Sequence, residues 1–227
     1  MTVRAIVTDI EGTTTSISFV YDILFPYARA HLADFVRDNA MRPEVAEELD
    51  AVRAEVGDSS LDTDAAIAVL LAWAHEDRKI TPLKSLQGMI WRDGYANGGF
   101  TGHVYPDAVD GLRRWKAAGC RLYVYSSGSV AAQKLLFRHS DAGDLSGLFT
   151  GYYDTRTGGK RERASYQAIA ASIGLPPADI LFLSDISEEL DAAQLAGMQT
   201  AWLVRDGVID AAAAHPQHAD FSDIHCP

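Results

Sequence analysis

Residues 3–15 read VRAIVTDIEGTTT, and this stretch decides the fold. Val3 to Asp9 is short, apolar and β-branched, the composition of a parallel strand buried on both faces. It ends abruptly in the polar turn Glu11-Gly12-Thr13-Thr14-Thr15. A buried strand needs neighbours, and none follows at once. The next segments all carry helical patterns.

Phe19 to Asn39 reads as helix with a restart at Pro26, and Pro43 to Val56 as a polar helix. In Thr63 to Arg78, Ile67, Leu70, Leu71 and Ala74 follow the i, i+3, i+4, i+7 rule. Pro82 opens a further helix through Tyr95, and the glycine-rich run from Asn97 to Gly102 ends the helical region. Beyond it the pattern alternates. Helix (Pro106 to Ala118), strand (Arg121 to Tyr125), helix (Val130 to His139) and strand (Phe149 to Tyr153) come first. Helix (Arg161 to Ile173), strand (Ile180 to Leu183), helix (Glu188 to Ala196) and strand (Thr200 to Val204) follow. Such alternation means an α/β fold with a doubly wound parallel sheet. The first strand belongs to that sheet, so the helical region between is an insertion. The expected domains are a core of residues 1–15 and 104–227 and an all-helical cap of residues 16–103. The tail beyond Arg205 is weakly patterned.

The chain has 227 residues and a formal net charge of −11. That balance argues against a duplex-binding or membrane-surface role, both of which need a basic face. It leaves room for a small anionic substrate if a local cation offsets the field. Cys120 and Cys226 cannot make a disulfide framework and fit no zinc spacing, which points to a reducing cytoplasm. No targeting segment is visible, and the longest apolar run, Ala65 to Ala74, is half a membrane span.

Ligands of open α/β sheets bind at the carboxyl ends of the strands. The first strand delivers Asp9 and Glu11, two apart and so on one side, a pair able to divide labour as nucleophile and general acid/base. The second delivers Ser126, with Ser127-Gly128-Ser129 at a helix N-terminus as an anion cradle. Lys160, at the start of the next helix, offers a fixed positive charge. The fourth strand delivers Asp185, with Glu189 four residues on and expected on the same helical face. Asp9 with Asp185 makes a hard oxygen site suited to Mg²⁺.

Asp9-Ile10-Glu11-Gly12-Thr13, Ser126, Lys160 and Asp185 together resemble the four motifs of the haloacid dehalogenase superfamily, in order. The longer stretches DIEGTTTSISFV (9–20), Leu24-Phe25-Pro26-Tyr27-Ala28 and Tyr125 to Val130 running on to Phe137 are similar to the enolase-phosphatase (acireductone synthase) family of methionine salvage. Glu11 stands where most of the superfamily has Asp, and the enolase-phosphatase branch carries Glu there. Glu189 replaces a second aspartate, which leaves it either a metal-bound water or Lys160 as partner.

The resemblance implies a Mg²⁺-dependent reaction on 2,3-diketo-5-methylthiopentyl-1-phosphate, enolisation and then phosphate removal. It implies Asp9 as nucleophile and Glu11 as acid and base. Ser126, Ser127 and Lys160 would hold the phosphoryl oxygens. Asp9, Asp185 and the backbone carbonyl of Glu11 would hold the metal, with Thr13 and Glu189 in support. A monomeric, cytoplasmic enzyme with no nucleic-acid or membrane partner is expected. The base for enolisation and the cap residues that read the thioether stay open. So do two other readings: a phosphatase for another small phosphate ester, and an inactive phosphometabolite-binding relative.

Blander roles are expected elsewhere. Ser129 is an N-cap candidate. His215, His218, His225 and Cys226 read as a plain exposed tail rather than a metal site. Trp73 and Trp91 read as cap core, and His103 as a weak substrate-contact candidate.

Overall fold

The computed structural model describes residues 2–225. Strand β1 (Ala5–Thr8) is buried throughout, as its apolar composition requires. It pairs in parallel with β2 (Arg121–Tyr125) on one side and β4 (Ile180–Ser184) on the other, so that Ala5 stands beside both Arg121 and Ile180. Strands β3 (Phe149–Tyr153), β5 (Gln199–Leu203) and β6 (Gln217–His218) extend the sheet to the order β3-β2-β1-β4-β5-β6, every pair parallel. The chain therefore winds outward from β1 in one direction, then returns to β4 and winds the other way. The boundary between β1 and β4 is the switch point, where such sheets leave a crevice at their carboxyl edge.

The chain divides into two compact units: residues up to Ile17 with those from Thr101 onward, and Ser18–Phe100. In the first, helices α5 (Pro106–Ala117), α6 (Val130–Arg138), α7 (Arg163–Ile173) and α8 (Ser187–Leu195) alternate with the strands. Tyr166, Ile169, Ala170 and Ile173 lie along the buried face of α7 and pack with Leu190 and Ala193 of α8 against Ala5, Val7 and Phe182. Ile6, Leu122, Val124 and Leu183, of opposite parity, are fully buried too, so both sheet faces are covered.

The second unit is wholly helical. Six residues of π-helix (Phe19–Leu24) pass into α1 (Phe25–Asn39). The change of winding falls beside Pro26, which has no N–H for the helical ladder. α2 (Pro43–Val56), α3 (Thr63–His75) and α4 (Thr81–Ala96) complete it around Leu32, Val36, Leu49, Leu70, Trp73 and Leu86. Trp73 lies in this core, and Trp91 packs against it with Nε1 donating to Leu24 O at 2.8 Å. α3 stops at His75, short of the expected Arg78, because Asp77 turns the chain with a φ of 51°. No helix among the described residues is long and apolar enough to cross a membrane.

The tail departs from expectation. It is no plain exposed segment. β6 adds a sixth strand, and Phe221 and Ile224 are buried. His215 is buried, its ring nitrogens 2.9 Å from Thr200 Oγ1 and Asp191 Oδ1. His218 lies in β6, and burial pulls its pKa down. Of the three described histidines of the tail His225 alone is exposed, and Cys226 lies outside the described residues. Isolated buried side chains in an irregular segment carry no period, which is why the pattern missed them.

Candidate active site

The loop after β1 begins by continuing the ladder: Asp9 N donates to Leu183 O at 2.9 Å. The chain then curls around one carbonyl. Ile10 O receives the N–H groups of Thr13, Thr14 and Thr15 at 3.1, 2.9 and 2.9 Å. Thr14 Oγ1 adds a bond to Asp9 O at 3.2 Å. Gly12 takes a φ of +72°, and a Cβ there would lie 2.1 Å from Asp185 Oδ2. Glycine thus serves twice, for the left-handed turn and for the close approach of the Asp185 carboxylate.

Lys160 joins the site from the turn before α7. It does not open that helix, which starts at Arg163. Three hydroxyls fix the turn: Tyr125 Oη donates to Gly158 O at 2.9 Å, Ser165 Oγ to Gly159 O at 2.8 Å and Tyr166 Oη to Lys160 O at 2.6 Å. The buried Nζ then lies 2.6 Å from Asp9 Oδ1 and 2.7 Å from Glu189 Oε2. Both contacts are buried, charge-assisted ion pairs. Arg161, Glu162 and Arg163 are exposed, as a solvated helix start should be.

Glu11 Oε2 accepts from Ser126 Oγ at 3.2 Å, and Ser126 Oγ accepts from Gly128 N at 3.1 Å. Gln133 Nε2 steadies this turn by donating to Gly128 O and Tyr153 O, each at 2.8 Å. Ser129 caps α6, its Oγ accepting from Ala132 N at 3.2 Å. Ser127 is exposed and outside this bonded set.

Asp185 and Glu189 do not share a helical face. Asp185 precedes α8, and its backbone O accepts from Trp202 Nε1 at 2.9 Å. Glu189, in the first turn of α8, accepts from Ser184 Oγ at 2.8 Å and pairs with Lys160. The break between strand and helix, which the spacing alone does not reveal, sends the two acids to different partners.

Charge is therefore crowded: Asp9, Glu11, Asp185 and Glu189 surround one lysine. Burial pushes Glu11 up, reinforced by the charge of Asp9. Burial and then Asp9 push Asp185 up to about 6. The same two causes raise Glu189 against the pull of Lys160. Burial alone would lower Lys160, but Asp9 and Glu189 outweigh it and hold it charged. One cation cannot satisfy four acids, and the surplus is negative. Hard oxygen donors in negative surplus, with Asp185 brought against Gly12 of the Asp9 turn, fit a divalent ion such as Mg²⁺. Among the described residues no three His, Cys, Asp or Glu side chains form a closed cage. An ion that keeps several waters and takes one or two carboxylates needs none.

Thr13 is fully buried with Oγ1 unpartnered, and its backbone O accepts from Arg205. His103 does not stand free at the edge of the site: its Nδ1 accepts from Ser16 N at 3.0 Å, and its O accepts from Thr15 Oγ1 at 2.9 Å. The residues that the sequence reading passed over are Ser184, Trp202 and Arg205. Each lies at or near the carboxyl end of a strand of the sheet, the one signal that marks them.

Residues 3–197 match the model of the haloacid dehalogenase-like hydrolases. The chain is 61% identical over 224 residues to enolase-phosphatase E1 of Pseudomonas aeruginosa, covering 99% of each. It is 59% identical over 225 residues to enolase-phosphatase E1 of Azotobacter vinelandii, covering 99% of this chain and 98% of that one. The crystal structure of the UTR4 protein of Saccharomyces cerevisiae superimposes with a TM-score of 0.83 at 33% identity, covering 98% of this chain and all of that one. A dehalogenase caught with its intermediate shares the fold at a TM-score of 0.57 and 19% identity.

Proposed function

Since the chain belongs to the haloacid dehalogenase-like hydrolases, and within them to the enolase-phosphatase E1 family, we propose that it converts 2,3-diketo-5-methylthiopentyl-1-phosphate to the acireductone 1,2-dihydroxy-3-keto-5-methylthiopentene, in methionine salvage. One observation carries the phosphatase half: Asp9, at the carboxyl end of β1, is buried with Oδ1 held 2.6 Å from Lys160 Nζ. A carboxylate so held is oriented at the mouth of the crevice. The particular substrate rests on the 61% identity with an enolase-phosphatase E1.

Asp9 attacks phosphorus and becomes an aspartyl-phosphate. Glu11, its pKa raised by burial, carries the proton that the leaving oxygen takes up, then removes one from the attacking water. Ser126, Ser127 and Lys160 hold phosphoryl oxygens whose charge is spread in a loose transition state. Glu189 holds Lys160 through a second ion pair, and Thr13 supports the turn that carries Asp9. Asp9, Asp185 and the backbone carbonyl of Glu11 would hold Mg²⁺ as the cofactor, which would offset repulsion between carboxylate and phosphate. Phosphate-monoester hydrolysis requires acceleration of up to ~10²¹-fold, so several such contributions act together. In this reading the first compact unit is the phosphatase core, the helical unit a cap, and the enzyme a cytoplasmic monomer.

The test is one assay on the diketo-phosphate with Mg²⁺, following enol absorbance and free phosphate together. Both products are expected, with phosphate release abolished in Asp9→Asn and by EDTA. Phosphate from generic esters but none from this substrate sinks the methionine-salvage assignment. In the same assay, Glu11→Gln forming enol without phosphate removes Glu11 as the base for enolisation.

A further inference from the structure

We propose that Arg205 is a positioning residue that fixes the nucleophile turn of Asp9 through the backbone of Thr13, an inference that rests on Asp9 being the nucleophile. Arg205 follows β5, and its side chain is 9% exposed. Nε and Nη2 both donate to Thr13 O, at 3.1 and 2.6 Å, across 192 residues of sequence. Nη1 donates to Asp107 Oδ2 at 2.7 Å. The guanidinium carbon lies 4.2 Å from the centroid of Tyr105 and 5.2 Å from that of Phe221.

The turn needs an outside anchor. Its internal bonds all converge on Ile10 O or run between its own members, so they define its shape and not its place. Thr13 makes no use of its own hydroxyl, which is buried and unpartnered. Bonds from outside hold three successive residues of the turn: Thr15 Oγ1 donates to His103 O at 2.9 Å, Tyr105 N donates to Thr14 O at 2.9 Å, and Arg205 grips the carbonyl of Thr13. Tyr105 thus contributes its N–H to one carbonyl and its ring to the guanidinium that holds the other. Arginine is the side chain that fits, since its planar fork bonds Thr13 O and Asp107 together and stacks between rings, which a lysine ammonium cannot do.

A purely structural role would use the same contacts to pin the tail, because Asp107 Oδ2 also accepts from Phe221 N at 3.0 Å. The two roles separate by partner. Thr13 O leads to the nucleophile; Asp107 leads to the tail. Residue 205 lies outside the 3–197 stretch that matches the wider hydrolase family.

The experiment compares full-length Arg205→Lys and Asp107→Asn with the unaltered enzyme. Turnover of p-nitrophenyl phosphate with Mg²⁺ is measured, so that the outcome does not depend on the diketo-phosphate. Amide hydrogen exchange of the segment 8–16 is followed alongside. Misplacing a reacting group by an ångström costs about 10²-fold, so Arg205→Lys is expected to lower kcat by about 10–100-fold with KM within about two-fold. Exchange in 8–16 is expected to accelerate with the other strands unchanged. Asp107→Asn is expected to keep kcat and the slow exchange of 8–16. Equal losses in the two variants, or full kcat and unchanged exchange in folded Arg205→Lys, overturn the proposal. If Arg205→Lys does not fold, the double variant Arg205→Met/Asp107→Leu, which leaves no buried charge unpaired, is read by the same criteria. If the unaltered enzyme does not turn over the aryl ester, the exchange comparison decides the anchor alone.

Discussion

Lys160 serves two buried carboxylates at once, and its removal would leave Asp9 and Glu189 facing each other without a cation. Breaking a buried pair in this way costs about 3–5 kcal/mol. Lys160→Met is therefore expected to unfold at a clearly lower temperature, and to lose about 10²–10³-fold in phosphate release, as for loss of a fixed transition-state donor. A Lys160→Met protein as active as the original would remove Lys160 from the chemistry. Gly12 offers a finer probe. An alanine Cβ would stand 2.1 Å from Asp185 Oδ2 on a backbone with φ +72°. Gly12→Ala is expected to push Asp185 aside and weaken Mg²⁺ binding by at least ten-fold in a calorimetric titration; unchanged affinity would mean that Asp185 is not a ligand. At this scale the sequence displayed the acids, the serine and the lysine, because each falls between the end of a strand and the first turn of the next helix. It did not display who pairs with whom. Glu189 meets Lys160 only because three hydroxyls bend the turn before α7, and no spacing rule encodes that bend.

Helix α5 and the tail define each other. Trp115 stacks on Phe221 at 5.1 Å between centroids, and its Nε1 donates to Ile224 O at 3.0 Å. Gly111 makes room: a Cβ there would lie 2.9 Å from Phe221 Cβ. In an exposed helix, Gly→Ala gains about 1 kcal/mol. Here crowding in a packed core costs about 1–3 kcal/mol, so Gly111→Ala is expected to lower the denaturant midpoint. In a Phe221→Gly background both the Cβ and the ring are gone, and the same substitution is expected to raise it. Absence of that reversal would mean that Phe221 does not pack on α5 in solution. The strands and helices of the alternating region were legible because each repeats a period. β6 was not, since Gln217–His218 is two half-buried polar residues joined to β5 by backbone bonds. Arg205 was lost with it, at the point where periodic patterning gives way to a docked tail.

Across the whole molecule, a chain of net charge −11 concentrates acids where it binds an anion, and pH exposes the consequence. Asp185 is raised from 3.8 to about 6 in the folded protein, and Glu189 and Glu11 are raised as well. The folded state therefore holds these protons more tightly than the unfolded chain. Their contribution favours folding at low pH and is lost as pH rises from the unfolded carboxyl values through the folded ones. In EDTA the melting temperature is expected to fall between pH 5.5 and 7.5. A divalent ion supplies the missing charge. At Mg²⁺ one hundred times its Kd the gain is about 2.7 kcal/mol. For a chain of this size that raises Tm by about 5–10 °C. Protons compete with the metal for Asp185, so the gain is expected to be larger at pH 7.5 than at 5.5. Asp185→Asn relieves part of the repulsion, so its metal-free Tm at pH 7.5 is expected above that of the unaltered protein, with most of the Mg²⁺ response gone. A Mg²⁺ shift of equal size at both pH values, or one that survives Asp185→Asn, would mean that the ion binds elsewhere and that the crowded acids are balanced by protons alone.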